Sequence, residues 1–228
     1  MGLKWISVVG IALLAVPVCA QETPSLKTEQ EIISYGIGYD VAKNLKKQGV
    51  DVNLDLLVKG LKDGYAGQNP PLAEKELRQV MRKFQADVRR DIVLKRRAEG
   101  EQNRKQGAGF LAANKTKEGV VTLPSGLQYK ILKEGHGKKP ADSDTVQCYY
   151  RGTLIDGTEF DATEAGKPAD LKISLLIPGW KQALKMMPVG SHWQIFVPSQ
   201  LAYGDRGAGN EIGPNATLIF DVELLAIK

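Results

Sequence analysis

Cysteine and histidine are almost absent from this sequence, and their scarcity limits the chemistry it can perform. Among 228 residues there are two cysteines, Cys19 and Cys148, and two histidines, His136 and His192. Two cysteines cannot form a disulfide framework, and two distant histidines exclude a His-rich metal site. We therefore expect neither a bound metal nor a cofactor.

The usual signatures of nucleophilic catalysis and of phosphate binding are also lacking. The sequence contains no Gly-x-Ser-x-Gly motif, and no nucleophile has a plausible histidine partner. The glycine cluster at residues 204–209 lacks the preceding strand and the following helix that a phosphate-binding loop requires. We therefore interpret this cluster as a flexible loop.

The remaining composition is that of an ordinary globular protein. Hydrophobic residues make up 43% and charged residues 25%, and 228 residues allow one or two domains. The net charge of +5 comes from one segment, since residues 72–117 contain 13 basic and 6 acidic side chains. Aromatic residues do not alternate with these charges, which favours a solvated helix over a nucleic-acid-binding surface. We expect no nucleic-acid partner.

The amino terminus resembles an export signal. Lys4 precedes an apolar run over residues 5–20, which is shorter than the ~20 residues that span a bilayer, and polar residues follow. We predict a signal peptide over residues 1–20, cleaved after Ala20, and no transmembrane span after its removal. Lipidation of Cys19 is the less favoured alternative because Val18 precedes it. Export across the inner membrane delivers the chain to the periplasm, with outer-membrane association and surface exposure as open alternatives.

Residues 21–71 are expected to form a helical dimerisation domain. Thr28 and Glu31 form a potential capping box for a first helix over residues 26–47, which Gly49 ends. Asn53 is a suitable cap for a second helix rich in leucine. Two helices this short cannot enclose a core by themselves. A second copy of the chain is the simplest partner, so we predict a homodimer.

Residues 72–117 are predicted to form a long basic connecting helix. Its first part carries one apolar stripe, formed by Leu77, Met81, Phe84, Val88 and Ile92. Beyond Leu94 no apolar face remains, which predicts a spacer whose soft points are Gly100, Gly107 and Gly109. A chain that begins near Gly119 is then expected to fold and act alone.

Residues 118–228 are predicted to form an α+β domain with an antiparallel β-sheet wrapped on one short helix. Apolar and polar residues alternate in four runs around residues 127–131, 146–150, 193–197 and 218–224. Asp156-Gly157 is typical of a hairpin turn, and the helix is expected over Trp180–Met186. The alternation around residues 146–150 places Cys148 in the core of the domain as a small hydrophobic residue.

Several aromatic residues lie at the ends of the predicted strands and turns. From periodicity alone they are more typical of a core than of a binding pocket. Asp161 at a strand end and Trp180 after a tight turn favour the pocket. The aromatic residues concerned are Tyr150, Phe160, Trp180, Tyr203 and Phe220.

Five sequence blocks follow one another in this domain, at residues 150–154, 156–161, 177–180, 201–204 and 212–220. They include Ile-Pro-Gly-Trp at 177–180 and Leu-Ala-Tyr-Gly at 201–204. In order and spacing they resemble the FKBP-type peptidyl-prolyl isomerases. Residues 45–53 and Phe84-Gln85 are similar to the dimerisation segment of the macrophage-infectivity-potentiator subgroup of that family.

The resemblance implies an FKBP-like fold and a peptidyl-prolyl cis-trans isomerase that accelerates the folding of exported proteins. Its implied catalytic residues are Asp161, Tyr203, Trp180 and Ile177. Its implied substrate-binding residues are Tyr150, Phe160, Leu176, Ile212 and Phe220. The mechanism would be desolvation of the X–Pro amide in an apolar pocket and stabilisation of its twisted form.

The implied partners are proline-containing unfolded or exported polypeptides, and macrolides of the tacrolimus and rapamycin type. Three rim positions depart from the family pattern, because Ala169, Ala208 and Glu211 replace a common Phe, His and Ile. A second function stays open, in which a dimeric chaperone binds clients in the pocket and catalysis is not its main role.

Overall fold

The computed structural model describes residues 25–228. The chain divides into two compact units, Met1–Asn69 and Pro70–Lys228, and each is presented by itself. The predicted signal peptide over residues 1–20 lies outside the described residues. Within the described range no helix is both long and apolar enough to cross a membrane.

The first unit contains two helices, α1 (Glu29–Gln48) and α2 (Leu54–Tyr65). The predicted capping box is confirmed, since the Glu31 N–H donates to Thr28 Oγ1 at 3.2 Å and the Thr28 N–H donates to Glu31 Oε2 at 2.9 Å. Gly49 ends α1 with a φ of 72°. Asn53 caps α2 by accepting from the Leu56 N–H at 3.0 Å. Local sequence signals therefore determine both helix starts.

The helix pair encloses no core of its own. No residue of α1 or α2 is buried within the described part of the chain. The exposed large hydrophobic side chains of these helices include Ile32, Ile33, Ile37, Val41, Leu54, Leu56, Val58 and Leu61. Apolar surface of this extent is typical of protein interaction sites.

The second unit begins with a helix of 41 residues, α3 (Glu74–Asn114). At about 1.5 Å per residue it is roughly 60 Å long. The predicted apolar stripe of its first half is exposed, with Leu77, Met81, Phe84 and Ile92 between 36% and 42% accessible. The second half of the same helix has a different environment.

The prediction that Gly100 and Gly107 are soft points of the helix is wrong. Both glycines are buried and lie inside one uninterrupted helix. A Cβ at Gly107 would lie 3.2 Å from Thr217 Cβ and closer still to its hydroxyl, whereas a Cβ at Gly109 would meet nothing within 4 Å. The glycines allow the helix to approach the domain closely, so this half is not a free spacer.

The two nearby glycines should respond oppositely to the same change. Gly109→Ala is expected to stabilise the fold by about 0.5–1 kcal/mol, because alanine costs less helix entropy in open space. Gly107→Ala is expected to destabilise it, since overpacking against Thr217 costs about 1–3 kcal/mol and outweighs that gain. Urea unfolding of both variants tests this, and equal stabilisation by both would contradict the close packing.

Seven strands form one sheet in which every pairing is antiparallel. The strand order is β1-β2-β6-β7-β3-β4, with β5 beside β3. The strands are β1 (Val120–Thr122), β2 (Gln128–Lys133), β3 (Thr145–Leu154), β4 (Glu159–Ala162), β5 (Ala169–Lys172), β6 (His192–Val197) and β7 (Leu218–Ile227). The four alternating runs predict β2, β3, β6 and β7 correctly.

The sheet wraps on a short helix, α4 (Pro178–Leu184), which confirms the predicted architecture. This helix begins and ends two residues before the predicted bounds, and its start is explained by Pro178, which is favourable in a first turn. Cys148 is fully buried among the core side chains, and burial raises the pKa of its thiol to about 12. The thiol is therefore protonated and packs as a hydrophobic group, as predicted.

The loop before β7, residues 204–217, has defined local structure, and we call it the rim loop. A short 3₁₀ turn spans Gly204–Arg206, and a β-bridge joins Ala208 to Ile212. The Asn215 N–H donates to the Gly204 carbonyl at 2.7 Å and so closes the loop. Three of its glycines, Gly204, Gly207 and Gly209, have positive φ angles of 57–63°, which glycine adopts without a steric penalty.

Candidate active site

Four of the predicted aromatic residues form one cluster. The Trp180 ring of α4 lies 5.5 Å from the Tyr150 ring of β3 and 5.3 Å from the Phe220 ring of β7. The Phe160 ring of β4 lies 5.6 Å from that of Phe220. All three pairs are edge-to-face, with angles of 85–89°, which is a favoured geometry for aromatic rings.

The cluster has a buried base and a more accessible rim. Trp180 and Phe220 are about 4% and 5% exposed, and Ile212 is 7% exposed. The partly buried hydrophobic residues against this core include Tyr150, Phe160, Leu176 and Ile177. The arrangement provides an apolar surface with Trp180 at its base.

The start of α4 fixes the position of Trp180. Ile177 is the extended N-cap residue, and Pro178 follows as the first helical residue. Gly179 lets the helix approach β6, since a Cβ there would collide with Val197 Cγ1 and lie 3.2 Å from the Leu201 carbonyl. This close approach of the helix to its neighbours fixes where the Trp180 side chain lies.

A backbone donor lies beside this base. The Ile177 carbonyl accepts from the Lys181 N–H at 3.1 Å, but the Ile177 N–H donates no hydrogen bond within residues 25–228. Tyr203 is 41% exposed, and its hydroxyl likewise has no hydrogen-bond partner among these residues. Two donors are thus available to a ligand.

The only carboxylate predicted for the site is linked to the aromatic cluster. The Tyr150 hydroxyl donates to Asp161 Oδ2 at 2.8 Å, which fits the predicted role of Asp161 as an acceptor. Burial raises the pKa of Tyr150 well above its usual value, and the hydrogen bond to Asp161 adds to this. Its phenol is protonated at neutral pH, so Tyr150 is a donor and not a base.

Gly152 supports the candidate site and was not predicted from the sequence. A Cβ at this position of β3 would lie 2.7 Å from the Phe160 ring and 2.9 Å from the Phe220 ring. Only glycine leaves space for both rings. The available signal was a glycine inside a strand, which commonly marks a close approach.

The three unusual rim positions lie on different segments. Ala169 begins β5, Ala208 forms the bridge to Ile212, and Glu211 is exposed within the rim loop. Glu211 Oε2 accepts from the Asn210 N–H at 3.0 Å. The side chains of Ala169 and Ala208 are single methyl groups, so they add little apolar surface at the rim.

In the part of the chain that the structure describes, neither the cleft beside α3 nor a metal centre contributes to this site. A cleft of about 470 Å³ lies between α3 and the sheet, but its lining contains none of the clustered aromatic residues. Across residues 25–228 no group of three or more His, Cys, Asp or Glu side chains could hold a metal ion. Within residues 25–228 the aromatic cluster lies beside two donors without a hydrogen-bond partner, the Ile177 N–H and the Tyr203 hydroxyl, and it is the candidate site.

Two family models match this chain. One is described as "Domain amino terminal to FKBP-type peptidyl-prolyl isomerase" and matches residues 30–131. The other is described as "FKBP-type peptidyl-prolyl cis-trans isomerase" and matches residues 136–225. The second match contains every residue of the aromatic cluster.

Curated proteins are similar over nearly the whole length. The "Outer membrane protein MIP" of Legionella longbeachae is 49% identical over 233 residues, covering 100% of this chain and 98% of the relative. The "Peptidyl-prolyl cis-trans isomerase Mip" of Coxiella burnetii is 39% identical, covering 92% and 91%. The crystal structure of FkpA from Escherichia coli matches with a TM-score of 0.67 and 33% identity, covering 90% of this chain and 99% of that one.

Proposed function

The chain belongs to the FKBP-type peptidyl-prolyl cis-trans isomerases and has that enzyme activity, and from this premise we propose that the aromatic cluster is its active site. The observation that carries the proposal is the buried Trp180, surrounded edge-to-face by Tyr150 and Phe220 beside a free Ile177 N–H. A proline ring would rest on the Trp180 ring. Phe160, Leu176 and Ile212 would form the walls around it.

The reaction needs no nucleophile. Amide resonance opposes rotation about the X–Pro bond with a barrier of ~18–20 kcal/mol. At the twisted transition state the resonance is lost, so the amide is less polar than in the planar ground state. An apolar pocket therefore destabilises the planar form more than the twisted one, which is differential binding of the transition state.

The polar groups would select the twisted geometry. We assign the Ile177 N–H and the Tyr203 hydroxyl to the substrate carbonyl groups, because both donors are free within the described residues. Asp161 would act by holding the Tyr150 hydroxyl in place at 2.8 Å. The same pocket would accept macrolides of the tacrolimus and rapamycin type, with Ala169, Ala208 and Glu211 changing the contacts at the rim.

We also propose that the enzyme acts on exported, proline-containing polypeptides. The support is the predicted signal peptide at residues 1–20, and the Legionella relative is itself named an outer membrane protein. The periplasm is the proposed compartment. Amino-terminal sequencing of the exported chain tests the cleavage site and should begin at Gln21.

Refolding of a proline-limited protein tests the proposed function. Proline isomerisation takes about 10–100 s at 25 °C, so a catalyst should shorten that slow phase in proportion to its concentration. The full mature chain is expected to do so at substoichiometric amounts. A chaperone that only binds clients would raise the refolding yield and leave the rate unchanged, and that result would favour the second function.

The proposed partner of the first unit is a second copy of the chain. Its helices bury none of their own residues, and the stripe from Leu77 to Ile92 on α3 is also exposed. Apolar area of this extent on two short helices needs a partner that contributes a matching surface, and a symmetric dimer supplies one.

A substitution on α2 should separate the dimer. Leu61 is 59% exposed, and Leu61→Glu would place two charges in a symmetric interface. Losing about 1.5–3 kcal/mol per leucine in both copies weakens association by roughly 10²–10⁴-fold. Light scattering at tens of micromolar should show a wild-type dimer and a monomeric variant, while the neighbouring Lys62→Glu stays dimeric. A monomeric wild-type chain would contradict the proposed interface.

A further inference from the structure

The second half of α3 contacts the rim loop at several points, and these contacts lie on one face of the helix. Asn103 Nδ2 donates to the Pro214 carbonyl at 2.9 Å, and Arg96 Nη2 donates to the Arg206 carbonyl at 2.6 Å. Both bonds join a side chain of the helix to the backbone of the loop. A backbone acceptor is fixed by the loop conformation, so these bonds constrain where the loop lies.

Between these two hydrogen bonds, α3 and the rim loop are also closely packed. A Cβ at Gly100 would lie 3.1 Å from Pro214 Cβ, and a Cβ at Gly213 would lie 3.0 Å from Glu99 Cδ. Positions 96, 100, 103 and 107 are spaced by three or four residues, which places them on one helix face. The helix therefore meets the loop along about three turns.

The rim loop connects these helix contacts to two residues of the proposed pocket, Tyr203 and Ile212. Pro214 precedes Asn215, whose N–H donates to the Gly204 carbonyl at 2.7 Å, and Gly204 follows Tyr203. Ile212 lies two residues before Pro214 and is held by the Ala208 bridge in both directions. Asn103 is thus connected to Tyr203 and to Ile212 through a few residues of hydrogen-bonded loop backbone.

We propose that Asn103, assisted by Arg96, is a positioning residue for the isomerase reaction. It fixes the rim loop so that the Tyr203 hydroxyl and Ile212 meet the substrate, an inference that rests on the proposed site. A reacting group displaced by about 1 Å can lose a large share of its catalytic effect. The long helix is consequently part of the catalytic unit.

Replacing Asn103 in the full-length chain tests the proposal. In a protease-free assay on a Leu-Pro tetrapeptide, Asn103→Ala should lower kcat by about 3- to 10-fold with KM nearly unchanged, the factor that one hydrogen bond provides. The neighbouring Gln102 is exposed, and Gln102→Ala should match the wild type. Arg96→Ala should show a smaller loss than Asn103→Ala, while Arg97→Ala, whose side chain pairs with Glu101 on the surface, should show none.

Asn103→Asp provides a readout that a merely structural role would not give. Its carboxylate would oppose the Pro214 carbonyl and cannot donate, so activity at pH 7 should be lower than in Asn103→Ala. Because the protonated carboxyl can donate, kcat should recover as the pH falls toward about 4, near the usual pKa of an Asp side chain. The wild-type chain is measured at the same pH values, and the ratio of variant to wild-type kcat isolates the effect of the substitution from titration of the carboxylates that both chains share, such as Asp161.

The outcomes separate this inference from the proposed site. Wild-type kcat in Asn103→Ala and Asn103→Asp at every pH, together with a loss in Tyr203→Phe, would overturn the positioning role alone. A fully active Tyr203→Phe would instead refute the assignment of Tyr203 and with it the inference. A fall in kcat for Asn103→Asp that reverses on acidification supports the inference.

Discussion

A fragment over residues 119–228 is expected to be less stable than one over residues 95–228 by about 3–6 kcal/mol, because it lacks the packed half of α3. Phe110 packs on Phe196 with ring centroids 5.9 Å apart, and Phe196 is only 4% exposed. Exposing Phe196 costs about 1.5–3 kcal/mol. Asn114 donates to Gln128 Oε1, and Gln128 donates to the Leu111 carbonyl, and each bond adds about 1 kcal/mol.

A third fragment over residues 70–228 serves as the control. The residues between Glu74 and Leu94 are mostly exposed, so this fragment should unfold with nearly the same free energy as 95–228 at low concentration. Urea titration measures all three, since the slope also reports the surface exposed on unfolding. Equal midpoints for 119–228 and 95–228 would show that the helix contacts stabilise nothing.

The sequence predicted this helix but not its packing, and the reason is physical. An apolar stripe reveals packing of hydrophobic side chains, and none exists beyond Leu94. The observed contact instead uses two glycines that permit a close approach and amide side chains that bond to backbone carbonyls. In retrospect, Gly100, Asn103 and Gly107 at spacings of three and four were the signal, and periodicity analysis of hydrophobic residues does not count them.

The sheet was more predictable because its signals are local. Alternation along β7 matches its burial, with every second residue from Leu218 to Leu224 buried. Asp156 accepts from the Thr158 N–H at 2.9 Å, and Gly157 adopts a φ of 88°, as the Asp-Gly pair predicts. Patterns of two to eight residues thus suffice where one face of a strand is buried.

The site was predictable only in part from its own residues. Strand ends and turns singled out the aromatic residues, but periodicity alone favoured a core, and the structure shows why. Trp180 and Phe220 are as buried as core residues. The features that support the proposed site are the Ile177 N–H, which donates no hydrogen bond within residues 25–228, and the exposed Tyr203, and neither has a signature in composition or spacing.

The same substitution in two buried tryptophans should separate catalysis from stability. Trp180 is 4% exposed and Trp193 is 3% exposed, but only Trp180 touches the aromatic cluster, while Trp193 stacks on Tyr129 at 4.5 Å. Leucine keeps part of the apolar volume, so both variants are expected to fold with a lower melting temperature. Truncating a buried tryptophan costs up to about 3–5 kcal/mol, which sets the upper limit of that destabilisation.

The two variants should differ in catalytic activity, although both are expected to be less stable than the wild type. Trp180→Leu removes the flat base on which the proline ring would rest, together with two edge-to-face contacts of about 0.5–1.5 kcal/mol each. We expect it to lower kcat/KM on a Leu-Pro peptide by about tenfold or more, since each 1.36 kcal/mol of transition-state stabilisation is a factor of ten. Trp193→Leu should keep wild-type kcat/KM when rates are measured below both melting temperatures and corrected for the folded fraction. Equal losses in both variants would mean that the tryptophan supports the fold and that the reaction surface lies elsewhere.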